Sequence, residues 1–188
     1  MRFSIIIPAY NSADYIRKAL DSVKMQTFKD YELIVVCDSC EDDTEEIAKE
    51  YGAITYLVNF HQDGYTRNTG IDHAQGEILM FMDDDDWWST PAALQLVDAA
   101  IEDADVLRFG FHWENFRGYC PPGDYYACWN KAYKRDFVGG VRFSSVQKWS
   151  DVDFFNGIYR KGPKLRDLNA CLYHYNFMRE GSQSWQTS

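Results

Sequence analysis

Apolar and polar positions along residues 1–90 alternate between two kinds of block. The runs FSIII (3–7), YELIVV (31–36), AITYLV (53–58) and EILMFM (77–82) are apolar at nearly every position, the pattern of strands covered on both faces. Between them the apolar positions take helical spacing. Ile16, Leu20 and Val23 recur at intervals of four and three behind Asn11-Ser12, which offer caps. The acidic opening of EDDTEEIAKEY suits the positive end of a helix macrodipole, and a third helix is expected from about Thr66 to Ala74. This β-α-β-α-β-α-β order predicts an α/β fold with parallel strands and right-handed crossovers.

After Pro91 the pattern predicts a helix over AALQLVDAAIED and a strand over ADVLRFGF. It weakens between Trp113 and Tyr126, where Gly118, Pro121, Pro122 and Gly123 mark turns. The segment WNKAYKRDFV, a helix at 150–159 and a strand over NACLYHYNF follow, and REGSQSWQTS is expected to be a loose end. A chain of 188 residues fits one domain.

Charge and cysteine content narrow the function. A net charge of −10 without a basic patch argues against nucleic acid or an anionic membrane as partner. No stretch approaches the roughly 20 apolar residues of a membrane span. MRFSIIIPAYN lacks the long apolar region of a secretory signal, so a soluble, cytoplasmic protein is expected. Five cysteines with a lone C-x-x-C (Cys37, Cys40) read as reduced thiols, zinc or redox use of the pair being the alternative.

In open α/β sheets, ligands lie beyond the carboxyl ends of the strands. Pro8 to Asn11, Asp38 and Asp83 to Asp86 all fall there. Four adjacent carboxylates repel one another unless a cation or water separates them. A solvated acidic turn is one reading. A site for Mg²⁺ or Mn²⁺, hard cations that take oxygen ligands and bind phosphates, is the other.

PAYNSADYIRKALDSVKMQTFKDYELIVV, RNTGIDHAQGEILMFMDDDDWW, WNKAYKRDFVGGVRF and SDVDFF resemble the family 2 glycosyltransferases of GT-A fold, in order and over most of the chain. The resemblance implies a Rossmann-like, mostly parallel sheet flanked by helices, with a nucleotide sugar at the strand ends. Residues 1–90 would form the nucleotide-binding half and 91–188 the acceptor side. By the same resemblance Pro8, Ala9, Tyr10 and Asn11 pack around the nucleotide and Asp38 contacts a uracil, Cys37 standing where the family has a first aspartate. Asp38 could otherwise be a helix-capping loop residue. Arg67, in GYTRNTG, falls beside the nucleotide, where it meets a carboxylate or phosphate; a surface helix arginine is the other reading.

Asp85 matches the main metal ligand, with Asp83 and Asp84 on the ribose or metal-bound water and Asp86 fixing the loop. His174 sits where many such enzymes carry a metal-binding histidine, a structural histidine being as good a reading. Asp151 matches the general base, although Ser150 replaces the family's glutamate; Asp153 is the rival base and helix capping the plain alternative. Among the aromatics only Trp87 or Trp88 is a candidate for stacking on a sugar, the rest reading as core, and Lys131 and Arg135 as structural or acceptor-side. The implied reaction is metal-dependent, inverting transfer from a nucleotide diphosphate sugar, UDP foremost, to an acceptor hydroxyl. A nucleotidyltransferase shares strand-end carboxylates but would release pyrophosphate; a weakly active nucleotide-sugar-binding remnant is the non-enzyme alternative.

Overall fold

The computed structural model describes residues 1–114, 118–145 and 150–176. The end expected to be loose, 179–188, lies outside them. Strands β1 (Phe3–Ala9), β2 (Tyr31–Asp38), β3 (Ile54–Val58) and β4 (Ile78–Phe81) form the parallel half of the sheet, in spatial order β3-β2-β1-β4. They alternate with helices α1 (Ile16–Lys24), α2 (Thr44–Glu50) and α3 (Asp63–His73) as the hydrophobic pattern predicts.

All seven residues of β1 are buried because the strand is covered on both faces. Its odd positions, Phe3, Ile5 and Ile7, join Leu20 and Val23 of α1 in one core. Ile6 points the other way, into a second core with Ile71 of α3. Gly70 makes that approach possible, since a Cβ there would lie 2.3 Å from Ile6 Cγ2.

Beyond β4 the sheet changes direction. A short β5 (Trp87–Trp88) and helix α4 (Ala93–Ile101) lead to β6 (Val106–Trp113) and β7 (Gly118–Cys120); β8 (Lys131–Lys134) and α5 (Arg135–Val138) follow, then α6 (Ser150–Tyr159) and β9 (Leu165–Tyr175). β8 pairs antiparallel with both β4 and β6, and β9 runs parallel to β6 and antiparallel to β5. The parallel expectation therefore describes the first half, with a mixed extension after it. β5 and β7 escape the sequence pattern because two or three residues carry no periodicity.

The expected cap of α1 is corrected. The helix starts at Ile16 with no side-chain cap, because Asn11 and Ser12 are occupied elsewhere. Asn11 Oδ1 accepts the Glu41 N–H and the Ser12 hydroxyl donates to Asp84, while the Ser12 carbonyl accepts the N–H groups of Tyr15 and Ile16. At α2, Glu45 and Glu46 occupy the first turn as the macrodipole favours. All five cysteines are free thiols.

Candidate active site

Because β1 to β4 are parallel, the loops after them open at one end of the sheet. Three non-glycine residues there, Asn11, Ser39 and His61, have φ of 46°, 57° and 52°. Such left-handed backbone costs energy and clusters at ligand sites.

Side chains tie these loops together. Asp84 Oδ2 accepts the Ser12 hydroxyl and the Tyr10 N–H, joining the first loop to the fourth. Asp42 accepts the Ala13 N–H at 2.9 Å, joining the second to the first. Pro8 and Ala9 are buried within β1, so that only Tyr10, 54% exposed, and Asn11 reach the opening.

Asp38 is buried, and its carboxylate accepts the N–H groups of Phe60 (2.7 Å), His61 (2.9 Å) and Gln62 (2.9 Å) and the Thr66 hydroxyl (2.8 Å). Burial pushes this carboxyl up, but those hydrogen bonds prevail and hold it below the usual carboxylate range. A carboxylate has about four lone-pair positions, and the protein's own donors fill them. Asp38 therefore organises the loop entering α3.

Arg67 is not on the surface. Its side chain is 7% exposed, donating through Nη2 to Asp83 Oδ1 at 2.6 Å, with Nη1 3.9 Å from Asp151 Oδ1. The neighbouring Asn68 exchanges two 2.9 Å hydrogen bonds with the backbone of Phe143, whose ring stacks on Phe154 of α6. Gly64 lets α3 come this close, because a Cβ there would sit 2.6 Å from the Ser144 carbonyl and 3.0 Å from Ser150 Cβ. The third loop's helix thus carries Arg67, which lies between Asp83, at the exit of β4, and Asp151, at the start of α6.

Asp151 Oδ2 accepts the Cys128 N–H at 3.2 Å, and its side chain is 27% exposed. Burial pushes the carboxyl above its usual range; Arg67 opposes that rise and Asp83 adds to it. Asp153 is exposed and bonds Ser144 Oγ, away from this cluster.

In the acidic loop, Asp83, Asp84 and Asp85 are partly exposed, whereas Asp86 is fully buried. Tyr173 links its two ends, donating its hydroxyl hydrogen to Asp86 at 2.6 Å and accepting the Asp83 N–H at 3.0 Å. Asn176 N–H also reaches Asp86, and Asn176 Nδ2 the Asp85 carbonyl. Burial, with Asp83 and Asp85 nearby, pushes the Asp86 carboxyl well up. Nothing in the sequence pattern marks Tyr173 or Asn176.

His174 lies on the strand β9 beside Tyr173. Adjacent residues of a strand face opposite ways, so with Tyr173 aimed at the acidic loop, His174 faces away. Its ring stacks on Trp87 at 4.0 Å and on His112 at 4.7 Å, with Nε2 3.5 Å from Glu114. Trp87 is thereby taken, with Lys18 3.0 Å above its ring, and Trp88, Trp129 and Tyr133 are core.

Among the described residues no three His, Cys, Asp or Glu side chains already converge as a metal cage. The donor set still fits a hard divalent cation in kind, since Asp83 to Asp85 present partly exposed carboxylates and Mg²⁺-type ions keep water and phosphate ligands.

Known proteins share this arrangement. The family model described as Glycosyl transferase family 2 matches residues 4–116. EpsH of Bacillus subtilis, a putative glycosyltransferase, is 34% identical over 92% of this chain and 60% of its own length. The glycosyltransferase GlyA of Streptococcus pneumoniae is 26% identical over 97% of this chain and 31% of its own. The chain thus spans less than two thirds of the length of these two relatives. The crystal structure of S. aureus TarS 1-349 in complex with UDP-GlcNAc superposes with a TM-score of 0.89 at 25% identity, over 100% of this chain and 62% of that one. With more than half of its residues matched and the GT-A fold around the strand-end aspartates, the chain belongs to glycosyltransferase family 2.

Proposed function

We propose that this chain transfers a sugar from a nucleotide diphosphate sugar, UDP being the nucleotide, to an acceptor hydroxyl with inversion. The observation that carries the reading is Arg67, buried between Asp83 and Asp151: it links the loop that would meet the diphosphate to the group that would meet the acceptor. The UDP-GlcNAc in the TarS structure supports the choice of nucleotide, and Mn²⁺ in a mannosyltransferase of the same fold supports the choice of metal.

Asp85 is the main metal ligand in this reading, with Asp83 and Asp84 on the ribose or metal-bound water. Mn²⁺ or Mg²⁺, when bound, would neutralise the diphosphate and stabilise the departing UDP. Asp151 takes the proton from the acceptor hydroxyl as that oxygen attacks the anomeric carbon opposite the leaving group, which inverts the configuration. A carboxyl raised above its usual range is a stronger base. Arg67 favours the ionised form of Asp151 and fixes Asp83. Tyr10, Asn11 and the backbone of the loop that Asp38 organises form the nucleotide wall, on the framework of Pro8 and Ala9.

In this reading residues 1–90 hold the donor and 91–188 the acceptor within one domain. Five unbridged thiols support a reducing, cytoplasmic setting. No helix among the described residues is long and apolar enough to cross a membrane.

The test follows products from a panel of UDP-sugars with Mn²⁺, for the wild type and Asp151→Asn. Metal-dependent UDP release that the variant loses is expected. Pyrophosphate release would select the nucleotidyltransferase reading, and binding without turnover the remnant.

A further inference from the structure

The segment 124–128 runs beside α6, and its alternate residues pair with every fourth residue of the helix. Cys128 N–H reaches Asp151, the Tyr126 ring meets Phe155 edge to face at 5.0 Å, and Asp124 accepts the Tyr159 hydroxyl at 2.6 Å. Phe155 also stacks on Tyr159 at 3.9 Å. A strip therefore leads away from Asp151, first an aromatic rung and then a hydrogen-bonding one.

The strip is held rigid from beneath. Lys131, fully buried, donates to the carbonyls of Tyr125 (2.6 Å) and Ala127 (2.8 Å) and to Asn130 Oδ1 (2.7 Å). With those carbonyls drawn inward, Tyr126 is left 55% exposed although it packs on Phe155.

We propose that this strip binds the acceptor as an uncharged sugar chain, its first ring stacked on Tyr126 and Phe155 while one hydroxyl meets Asp151. The inference rests on the glycosyl-transfer reading above. Aromatic faces suit the apolar face of a sugar, and the Asp124–Tyr159 rung suits its hydroxyls. Charge selects against an anionic chain. The described cations that contact the strip are already engaged, Lys131 by three oxygens, Arg108 by Asp124 and Asp167 and Arg67 by Asp83, while Asp124 and Asp151 add negative charge.

The experiment is saturation-transfer NMR on the full chain with UDP and Mn²⁺, offering cello-, chito- and malto-oligosaccharides and, separately, ribitol phosphate oligomers. Tyr126→Ala and Tyr126→Phe are compared with the wild type, and the UDP-induced shift in melting temperature checks fold and donor site. Binding of a neutral oligosaccharide that weakens about tenfold in Tyr126→Ala and survives in Tyr126→Phe is expected. The proposal is overturned if UDP binds but no neutral oligosaccharide does, if the phosphate oligomers bind more tightly, or if Tyr126→Ala binds like the wild type. Oligosaccharide binding to the strip without any UDP effect would instead overturn the donor reading alone.

Discussion

The Arg67 guanidinium donates to the Asp83 carboxylate at 2.6 Å from a position only 7% exposed to solvent. A buried pair broken on one side leaves an uncompensated charge, which costs several kcal/mol. Arg67→Ala should lower the unfolding free energy by on the order of 3 kcal/mol in urea titrations. Arg67→Lys keeps the charge without the planar fork and should lose most turnover while recovering part of the stability.

Asp151 carries the pH dependence of the proposed reaction. Its carboxyl is raised by burial, opposed by Arg67, so kcat should rise with pH through a midpoint above the ordinary value of about 3.9. Arg67→Gln removes the opposing cation and should move that midpoint further up. Linkage gives the stability sign: a raised carboxyl contributes stability present below the unfolded pKa and lost as pH rises through the folded one. Asp151→Asn should flatten that slope in melts taken across the acidic range, and should cost about 10²–10⁴-fold in transfer.

Tyr173 bridges the two ends of the acidic loop, and its ring stacks on Trp129 at 4.7 Å. Tyr173→Phe keeps the stack and deletes the bridge, leaving Asp86 Oδ2 and the Asp83 N–H without that partner. The expected cost is about 1–3 kcal/mol in stability. Calorimetric titration should show weaker Mn²⁺-UDP binding; unchanged binding would mean that the bridge does not shape the loop.

Lys131 is pushed down to about 8 by burial, against opposing pulls from Cys128, Asp151 and Asp124. The unfolded chain therefore binds the extra proton between pH of about 8 and 10.5, and stability from this group falls as pH drops through about 8. Lys131→Met should be less stable than the wild type at every pH, since three oxygens lose their donor. The gap should widen from pH of about 8 upward, as chemical denaturation at graded pH would measure.

The hydrophobic pattern located β1 to β4 because a doubly covered strand needs an unbroken apolar run, and it placed the acidic residues at strand ends because chain order fixes that. Asp151 was legible as a helix-start acid in a family-like block. The framework around it was not. Tyr173, Asn176 and the Cys128 N–H act across chain separations that no local period encodes; Arg67 is expected beside a carboxylate or phosphate, but its burial against Phe143 and its pairing with Asp83 in particular come from tertiary packing. His174 follows strand parity, which turns it to the opposite face from Tyr173 and onto Trp87.

The most direct measurement is calorimetric titration of UDP into the wild type and Asp85→Ala, each with and without Mn²⁺. A metal-dependent donor site requires Mn²⁺ to tighten UDP binding by about tenfold or more in the wild type, a gain of at least ~1.4 kcal/mol, and the gain to vanish in Asp85→Ala. Equal UDP affinity with and without metal, or an undiminished gain in Asp85→Ala, contradicts it.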